Sequence, residues 1–537
     1  MTTWYSRTVD RTPSMRAAVV ALVMAAAAAV GITLALRASA DAPRGGAAGT
    51  PRTHAPLAPA PGRGTAAPPA DVHAGPGHPN IVFVLTDDLS MNLLPYMPQV
   101  RALQHQGMTF NNYFVSDSLC CPSRASIFTG QFPHDTGVFT NAGPNGGIGA
   151  FFAHGDQNST FNLALQQSGY QTAMMGKYLN GYLDGPARSP LTAREVPAGW
   201  TQWDVAGWGY PEFDYPMDIN GRVRRFGHRP RAYLTDVLAR QGVQFINRAA
   251  QTGRPFFLEL GTFAPHFPYT PAPRYAQAFP GLTAPEPPGF DTLPLNAPRW
   301  LASRPPLDLR QLARINWAFR RRVQAVQSIN DLIARIRTAL ARNGMTRDTY
   351  VVFSSDNGLH TGEYRLMPGK LTAFDTDIRV PLVVTGPGVP AGSVSNAMTE
   401  NVDLAETFAA LGGTSLAGDG RSLVGLLHGA GATGWRNAVL VEHHGASLSL
   451  EGPDKQAPLS GNPPTYEAMR TPRLLYVEYA DGQRELYDLR ADPYELNNLA
   501  GTLSPYQRDQ LHAALTRLQN CHGSEACWAA GHAAVFP

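Results

Sequence analysis

The sequence predicts an α/β fold, with a large, mostly parallel sheet flanked by helices and a smaller C-terminal α+β subdomain. Short apolar runs that do not alternate, such as IVFVL at 81–85, are typical of strands buried on both faces. Helical patterns at 159–167 and 326–340 lie between such runs. Polar clusters follow the runs directly, as expected where ligands collect beyond the carboxyl ends of parallel strands.

The N-terminus has the pattern of an export signal. Three arginines precede an uncharged apolar run at 17–36, and Ala-Ser-Ala at 38–40 fits a cleavage site. We therefore expect residues 1–40 to be a signal peptide and the protein to be secreted or extracellular. Because this apolar run is long enough to cross a bilayer, an uncleaved anchor at the outer face of the membrane stays open as the alternative.

Composition divides the rest of the chain into three parts. Residues 41–78 are rich in Ala, Pro and Gly and predict a disordered linker. Residues 79–430 are assigned to the large domain, and residues 431–537 to the smaller one, with the boundary placed at a glycine-rich stretch. In the smaller domain the patterns predict neighbouring strands at 474–477 and 485–489 and a closing helix at 505–518.

Net charge argues against a nucleic-acid partner. The formal charge is +3, and residues 1–40 account for all of it with four Arg and one Asp. The remaining sequence is balanced and is expected to have neither the basic surplus nor the basic stripe of a nucleic-acid-binding domain.

Two predicted strands are each followed by a pair of side chains that carry oxygen. Carboxylate and amide oxygens are hard ligands that suit Ca²⁺ or Mg²⁺ and do not suit Zn²⁺. Either pair alone is equally well explained as an exposed turn, but two pairs in matching positions predict a metal site. The four candidate ligands are Asp87 and Asp88 after the run at 81–85, and Asp356 and Asn357 after the run at 350–353.

The four cysteines occupy two places in the chain. Cys521 and Cys527 predict a small C-terminal disulfide in an oxidising compartment. Cys120 and Cys121 are adjacent, and Cα atoms about 3.8 Å apart are too close for an ordinary disulfide. We therefore expect a chemically special cysteine in this pair, with two buried inert thiols as the alternative.

The cysteine pair stands at a predicted helix start, in SLCCPSRASIFTG at 118–130. Pro122 suits the first helical turn, and the apolar residues after it continue the helix. Unpaired N–H groups at a helix N-terminus attract anions such as sulfate. Arg124, one turn into the helix, is therefore expected to bind the same anion or to hold the nucleophile.

Lysine usage singles out two further positions. Of the 44 basic residues only Lys177, Lys370 and Lys455 are lysines. A chain that uses arginine almost everywhere is expected to retain lysine where a compact ammonium charge matters. Lys177 and Lys370, which lie close to predicted strands, are interpreted as functional, and Lys455 as a surface residue.

Together these motifs resemble the type I sulfatases, a family of the alkaline-phosphatase-like superfamily. Cys120-x-Pro-Ser-Arg, followed by Thr-Gly at 129–130, is similar to the family signature. Its first cysteine is oxidised to formylglycine (3-oxoalanine) by a formylglycine-generating enzyme or an equivalent. The match assigns that role to Cys120, with Cys121 in the variable position. The resemblance implies an exported enzyme that hydrolyses sulfate esters of a small molecule or a glycan.

The resemblance also implies a mechanism. Formylglycine at Cys120 and the four oxygen ligands would bind one divalent cation, Ca²⁺ or alternatively Mg²⁺. The hydrated aldehyde would attack sulfur, expel the alcohol and then release sulfate as the aldehyde reforms. Arg124, Lys177 and Lys370 would stabilise the sulfuryl oxygens, and His266 would protonate or orient the leaving oxygen.

Substrate contacts are the least specific part of the resemblance. Many sulfatases have a histidine two residues after the first lysine, whereas this chain has Leu179 there and Asn180 next. Lys-Tyr-Leu-Asn at 177–180, together with the cysteine motif, is similar to the corresponding segments of the N-acetylglucosamine-6-sulfatase branch of the family. Asn180 and His360 are the candidate substrate-binding residues. A phosphonate monoester or phosphodiester hydrolase, and an exported carbohydrate-binding protein with an inactive site, stay open as alternatives.

Overall fold

The computed structural model describes residues 75, 77–183, 195–445, 456–457 and 459–533. The predicted signal peptide, all but the last residues of the predicted linker, and Lys455 lie outside the described residues. Within these described ranges, no helix is both long enough and apolar enough to cross a bilayer.

A ten-stranded mixed sheet forms the centre of the protein. In chain order the strands of the described residues are β1 (Asn80–Thr86), β2 (Met108–Phe110), β3 (Tyr113–Phe114), β4 (Gln171–Gly176), β5 (Gln202–Ala206), β6 (Pro216–Ile219), β7 (Val223–Arg225), β8 (Phe256–Gly261), β9 (Thr349–Ser355), β10 (Leu382–Thr385), β11 (Ser393–Ser395), β12 (Thr399–Glu400), β13 (Val439–His443), β14 (Tyr466–Arg470), β15 (Leu474–Tyr479) and β16 (Arg484–Asp488). The large sheet has the order β11-β2-β10-β9-β1-β8-β4-β5-β6-β7. Its central strands β9, β1, β8, β4 and β5 run parallel, which confirms the predicted fold class.

Helices cover both faces of this sheet. In chain order the α-helices of the described residues are α1 (Pro98–Gln106), α2 (Cys120–Thr129), α3 (Pro133–Thr136), α4 (Gly147–His154), α5 (Phe161–Gln167), α6 (Leu234–Thr252), α7 (Arg299–Ala302), α8 (Leu309–Arg342), α9 (Asp375–Ile378), α10 (Asp403–Leu411), α11 (Val424–Leu427), α12 (Pro505–Gln519) and α13 (Ser524–Ala533). The helical patterns noted in the sequence correspond to α5, α8 and α12.

The central strands are buried on both faces, which explains why their sequences do not alternate. In β1, Ile81, Phe83 and Leu85 belong to one apolar core, while Val82 and Val84 belong to a second core on the opposite face. Helices α2, α5 and α10 contribute to the first core, and α1, α6 and α8 to the second.

A four-stranded antiparallel sheet, β13-β14-β15-β16, forms the predicted C-terminal α+β part. Val441 and Val477 on one face join the first core of the large sheet. The other face packs against α12 and α13, where Cys521 and Cys527 form the predicted disulfide. The placement of a domain boundary near residue 430 stays a prediction.

The parallel arrangement decides where the polar clusters lie. Leu85 of β1 is paired with Gly261 of β8, and Thr86 with Ser355 of β9. Gly176, the last residue of β4, is also paired with Gly261. The segments that follow β1, β4, β8 and β9 therefore leave the sheet at the same edge.

One expectation about charge was wrong. The folded part does contain a basic stripe, because five arginines fall within residues 222–231 and all five are exposed. Three of them lie on the edge strand β7 or directly before it. Their charge is offset in the net count by acidic residues elsewhere, so a sum over the whole chain conceals them. The absence of a nucleic-acid partner stays a prediction.

Candidate active site

The two acidic strand ends meet although they are far apart in sequence. The backbone N–H of Asp88 donates to Asp356 Oδ1 at 3.2 Å, and Asn357 Nδ2 donates to Asp88 Oδ1 at 2.7 Å. Asp87 lies beside them, and all four side chains are buried. The site is therefore assembled by the pairing of β1 with β9.

Both predicted lysines reach this carboxylate group. Lys177, which directly follows β4, places Nζ 2.5 Å from Asp87 Oδ2. Lys370 places Nζ 2.7 Å from Asp88 Oδ1 and 2.7 Å from Cys120 Sγ. The two lysines are at most 3% exposed. Ammonium groups are retained at such depth only when they are paired with opposite charge.

The adjacent cysteines have different surroundings. Cys120 is the first residue of α2, and its thiol lies 3.3 Å from Asp87 Oδ1. Cys121 belongs to the apolar core, and its backbone N–H donates to Asn141 Oδ1 at 2.9 Å. Neither cysteine forms a disulfide. One sulfur is thus part of a charged site and the other is part of the packing.

Arg124 links the nucleophile helix to the acidic cluster. Its Nε donates to Asp356 Oδ2 at 2.8 Å, and its Nη1 donates to the backbone carbonyl of Lys177 at 3.0 Å. The side chain is fully buried, and Nη2 makes no hydrogen bond with the described residues. Arg124 therefore holds two parts of the site together and keeps one donor atom for a bound anion.

His266 is brought into the same cluster by the loop after β8. Its Nε2 lies 3.4 Å from Asp88 Oδ2, and its Nδ1 donates to the carbonyl of Phe267 at 2.7 Å. The ring centroid of Tyr210 lies 4.8 Å from the imidazole and 5.0 Å from Lys177 Nζ. Asn180 Nδ2 donates to the Tyr210 hydroxyl at 3.1 Å, so Asn180 reaches the site through this tyrosine.

His360 has a different position. It is fully buried, its Nδ1 lies 3.0 Å from the Asp377 carboxylate, and its Nε2 lies 2.8 Å from the carbonyl of Ser460. Both ring nitrogens are therefore bonded within the fold. The contact of His360 with substrate stays a prediction.

Sequence reasoning missed two residues of the site, Tyr210 and Arg322. Arg322 is fully buried on α8, donates from Nη1 to Ser90 Oγ at 3.1 Å, and contacts the carbonyl of Asp88. The sequence does contain an indication that Arg322 is buried. Arg322 lies four residues before Val326 and seven before Ile329, and therefore on the apolar face of α8. A charge in such a stripe indicates a buried partner. Nothing comparable marks Tyr210.

The protonation equilibria of Asp87 and Asp356 are shifted in opposite directions. Burial alone would raise the pKa of Asp87, but four cationic neighbours, Lys177 first among them, hold the pKa below its ordinary value. Burial and the charge of Asp87 raise the pKa of Asp356 to about 6, although Arg124 opposes this. Asp87 is therefore an anion at neutral pH.

The carboxylate and amide oxygens at the strand ends fit a hard divalent cation. One ligand atom from each of Asp87, Asp88, Cys120 and His266 lies within 4.8 Å of the others. Asn357 Oδ1 is buried beside them and has no hydrogen-bond partner among the described residues. An orphaned buried oxygen next to carboxylates is what a cation that prefers oxygen ligands would satisfy.

A mostly parallel sheet with helices on both faces carries, at its carboxyl edge, a buried cluster of acids and lysines around a cysteine that starts a helix. A family model described as sulfatase matches residues 79–414, more than half of the chain. A second model, for the C-terminal region of N-sulphoglucosamine sulphohydrolase, matches residues 362–521. The chain belongs to the sulfatase family and is a sulfuric ester hydrolase.

Curated relatives and solved structures agree with this assignment. The chain is 34% identical over 481 residues to the N-acetylglucosamine-6-sulfatase of Homo sapiens, covering 84% of this chain and 86% of that protein. It is 30% identical to an arylsulfatase of Volvox carteri, covering 84% and 75%. A structure solved with its substrate D-glucosamine-2-N,6-O-disulfate has a TM-score of 0.65 at 22% identity, covering 82% of this chain and 98% of that one.

A phosphonate monoester hydrolase from Silicibacter pomeroyi has nearly the same fold. Its TM-score is 0.63 at 20% identity, and the match covers 82% of this chain and 94% of that one. At this identity the likeness concerns the fold alone.

Proposed function

We propose that this sulfatase is exported and removes sulfate from glycans, using formylglycine made from Cys120 as its nucleophile. The observation that carries the proposal is the position of Cys120 Sγ, 2.7 Å from Lys370 Nζ and 3.3 Å from Asp87 Oδ1. Its neighbour Cys121 belongs to the apolar core, so Cys120 is the cysteine proposed to react.

In the proposed enzyme, residue 120 would supply an aldehyde hydrate as nucleophile. Asp87, Asp88, Asp356 and Asn357 would hold a divalent cation, which would supply positive charge beside it. Arg124 keeps Asp356 in place through Nε and directs Nη2 toward a sulfuryl oxygen. Lys370 and Lys177 bind the remaining sulfuryl oxygens. Because these cations are buried, they stabilise developing negative charge more strongly than they would in water.

His266 is the proposed acid for the leaving alcohol. Because Nδ1 donates to the carbonyl of Phe267, Nε2 is the atom that faces Asp88 and the reacting centre. The ring is held against Tyr210, which fixes its orientation. A proton on Nε2 would be passed to the bridging oxygen as the bond to sulfur breaks.

The glycan substrate is supported by the relatives. The human relative is named for N-acetylglucosamine 6-sulfate, and the solved structure with the disulfated glucosamine has the same fold. The buried cations Arg124, Lys177 and Lys370, together with a donor set that would bind a cation, suit an anionic ester group.

Export is supported by the N-terminal pattern and by the Cys521–Cys527 disulfide, which is stable in an oxidising compartment. We propose cleavage after residue 40, with an uncleaved anchor at 17–36 as the alternative. N-terminal sequencing of protein from the culture medium and from membranes distinguishes the two.

Mass spectrometry of the peptide that contains residue 120 tests the nucleophile. Protein from a host with the modifying activity should give a peptide in which aldehyde replaces thiol, while residue 121 stays a thiol. Finding only unmodified cysteine in active enzyme would refute the proposed chemistry.

Turnover of 4-nitrophenyl sulfate, N-acetylglucosamine 6-sulfate and 4-nitrophenyl phenylphosphonate by the same preparation tests the reaction class. We expect the sulfate esters to be preferred in kcat/KM. A preference for the phosphonate ester would instead favour the phosphonate monoester hydrolase alternative.

A further inference from the structure

An aromatic path leads from the active site to the surface. The ring of Tyr210, which packs on His266, lies 5.7 Å from that of Trp208. Trp208 is 45% exposed and has a positive φ of 44°, a conformation that bulky residues rarely adopt. The fold therefore holds a large apolar ring at the surface, next to the residues proposed to act on the substrate.

Five exposed arginines fall within residues 222–231, which we call the arginine segment. The five are Arg222, Arg224, Arg225, Arg229 and Arg231. None of them forms an ion pair with any described residue. Asp214, which pairs with His228, is the one exposed carboxylate between residues 207 and 231.

Sheet topology connects the arginine segment to the catalytic edge. Since β5 runs parallel to β4, and β6 and β7 each reverse direction, β7 ends at the same edge as β4. Arg225 is paired with Pro216, whose carbonyl accepts a hydrogen bond from Gly207, the residue before Trp208. Three strand spacings, about 14 Å, separate β4, which leads into Lys177, from β7.

We propose that Trp208 and the arginine segment form a binding track for a polysulfated glycan chain, so that the substrate is an oligosaccharide or polysaccharide carrying several sulfates. This inference rests on the proposed function. The sulfate ester to be cleaved enters the site of Lys177 and His266, and Trp208 stacks on the apolar face of a neighbouring sugar ring. Sulfates on sugars further along the chain then meet the arginines.

Arginine suits this task for two physical reasons. Its planar guanidinium binds oxyanions through two parallel N–H groups, and unpaired arginines carry no competing carboxylate that an anion would have to displace. A row of like charges also attracts a polyanion over a distance comparable to the Debye length, about 8 Å at physiological salt.

Kinetics with a large and a small substrate test this proposal. The large substrate is a size-fractionated hexasaccharide prepared from heparin, and the small one is 4-nitrophenyl sulfate. In R224S/R225S/R229S we expect KM for the hexasaccharide to rise about fivefold or more, with kcat within about twofold. The same variant should turn over 4-nitrophenyl sulfate like the wild type, which also shows that it is folded.

Two control variants keep the test specific. R335S/R342S/R347S removes the same charge from exposed arginines near the end of α8, at the amino edge of β9, and should leave KM for the hexasaccharide within about twofold. W208A should raise that KM, whereas W317A, equally exposed at 46%, should not.

Three outcomes would overturn the proposal. One is an unchanged KM for the hexasaccharide in both the arginine variant and W208A. Another is an equal loss in the control arginine variant, which would indicate net charge alone. The third is tight binding of a duplex oligonucleotide that depends on the arginine segment, with no effect on the hexasaccharide. Failure of the wild type to hydrolyse either sulfate ester would refute the proposed function instead.

Discussion

The protein carries positive charge in two contrasting regions. In the active site, Lys177, Lys370 and Arg124 are at most 3% exposed, and each contacts a carboxylate. In the arginine segment, five cations are exposed, and none forms an ion pair with another described residue. Buried charges lose hydration and need fixed partners, so their positions are defined. Exposed charges keep their hydration and act through the field they share. The buried cations are suited to the chemical step, and the exposed arginines are suited to attracting and binding an anionic substrate.

The largest expected effect lies in the buried region. Cys120→Ala should lower kcat for 4-nitrophenyl sulfate by about 10³-fold or more, because the nucleophile is removed. The adjacent Cys121→Ala removes a core sulfur and should lower the melting temperature while kcat falls by less than about tenfold. Equal losses of kcat in the two variants would contradict the division between a reactive and a packing cysteine.

Removal of the cation should have the next largest effect. Dialysis against a chelator should lower kcat/KM by about 10²-fold, and Ca²⁺ should restore it, since charge beside the nucleophile is lost and regained. Asn357→Ala, which removes the orphaned buried oxygen, should require about tenfold more Ca²⁺ for the same recovery. Unchanged recovery in that variant would exclude Asn357 as a ligand.

Ionic strength should distinguish the two regions directly. Raising NaCl from about 20 to 200 mM should lower kcat/KM for the hexasaccharide severalfold and for 4-nitrophenyl sulfate by less than about twofold, because exposed charges are screened more than buried ones. In R224S/R225S/R229S the salt dependence of the hexasaccharide should become shallower. If kcat/KM of the wild type fell equally steeply with salt for both substrates, the proposed distinction between buried and exposed charges would be contradicted.

The smallest expected effect on catalysis concerns a charge pair outside the active site. His134 on α3 lies between the Glu442 carboxylate, 2.9 Å away, and the carbonyl of Cys521, 2.8 Å away. Burial alone would lower the pKa of His134, but these two acceptors raise it to about 9. The folded protein therefore binds this proton more tightly than the unfolded chain does. The resulting stabilisation is complete below about pH 6.5 and is lost as pH rises through about 9.

Urea unfolding at pH 6 and pH 9 measures this contribution. The wild type should lose about 1–2 kcal/mol more between these pH values than His134→Gln, while kcat at pH 7 should stay within about twofold. Parallel losses of stability in the two proteins would show that His134 does not bind its proton more tightly in the fold.

The sequence predicted the centre of the site because its acidic residues stand close after apolar runs that are recognisable as strands. Asp87 and Asp356 each follow an apolar run that predicts a buried strand, and parallel pairing of the two strands then brings them together. Tyr210 could not be found this way, since it lies on an irregular loop whose path depends on the edge strands. The arginine segment was missed for another reason: a net charge is a sum, and function depends on where charges are placed.

The burial of helix α2 bears on when Cys120 could be modified. All ten of its residues are buried, and they include Cys120, whose side chain has no exposed surface. A modifying enzyme would reach that sulfur poorly once the sheet and helices have closed around it. Under the proposed chemistry, oxidation would therefore act on the nascent or still unfolded chain and would compete with folding. A molecule that folds too soon would be stable, correctly shaped and permanently idle.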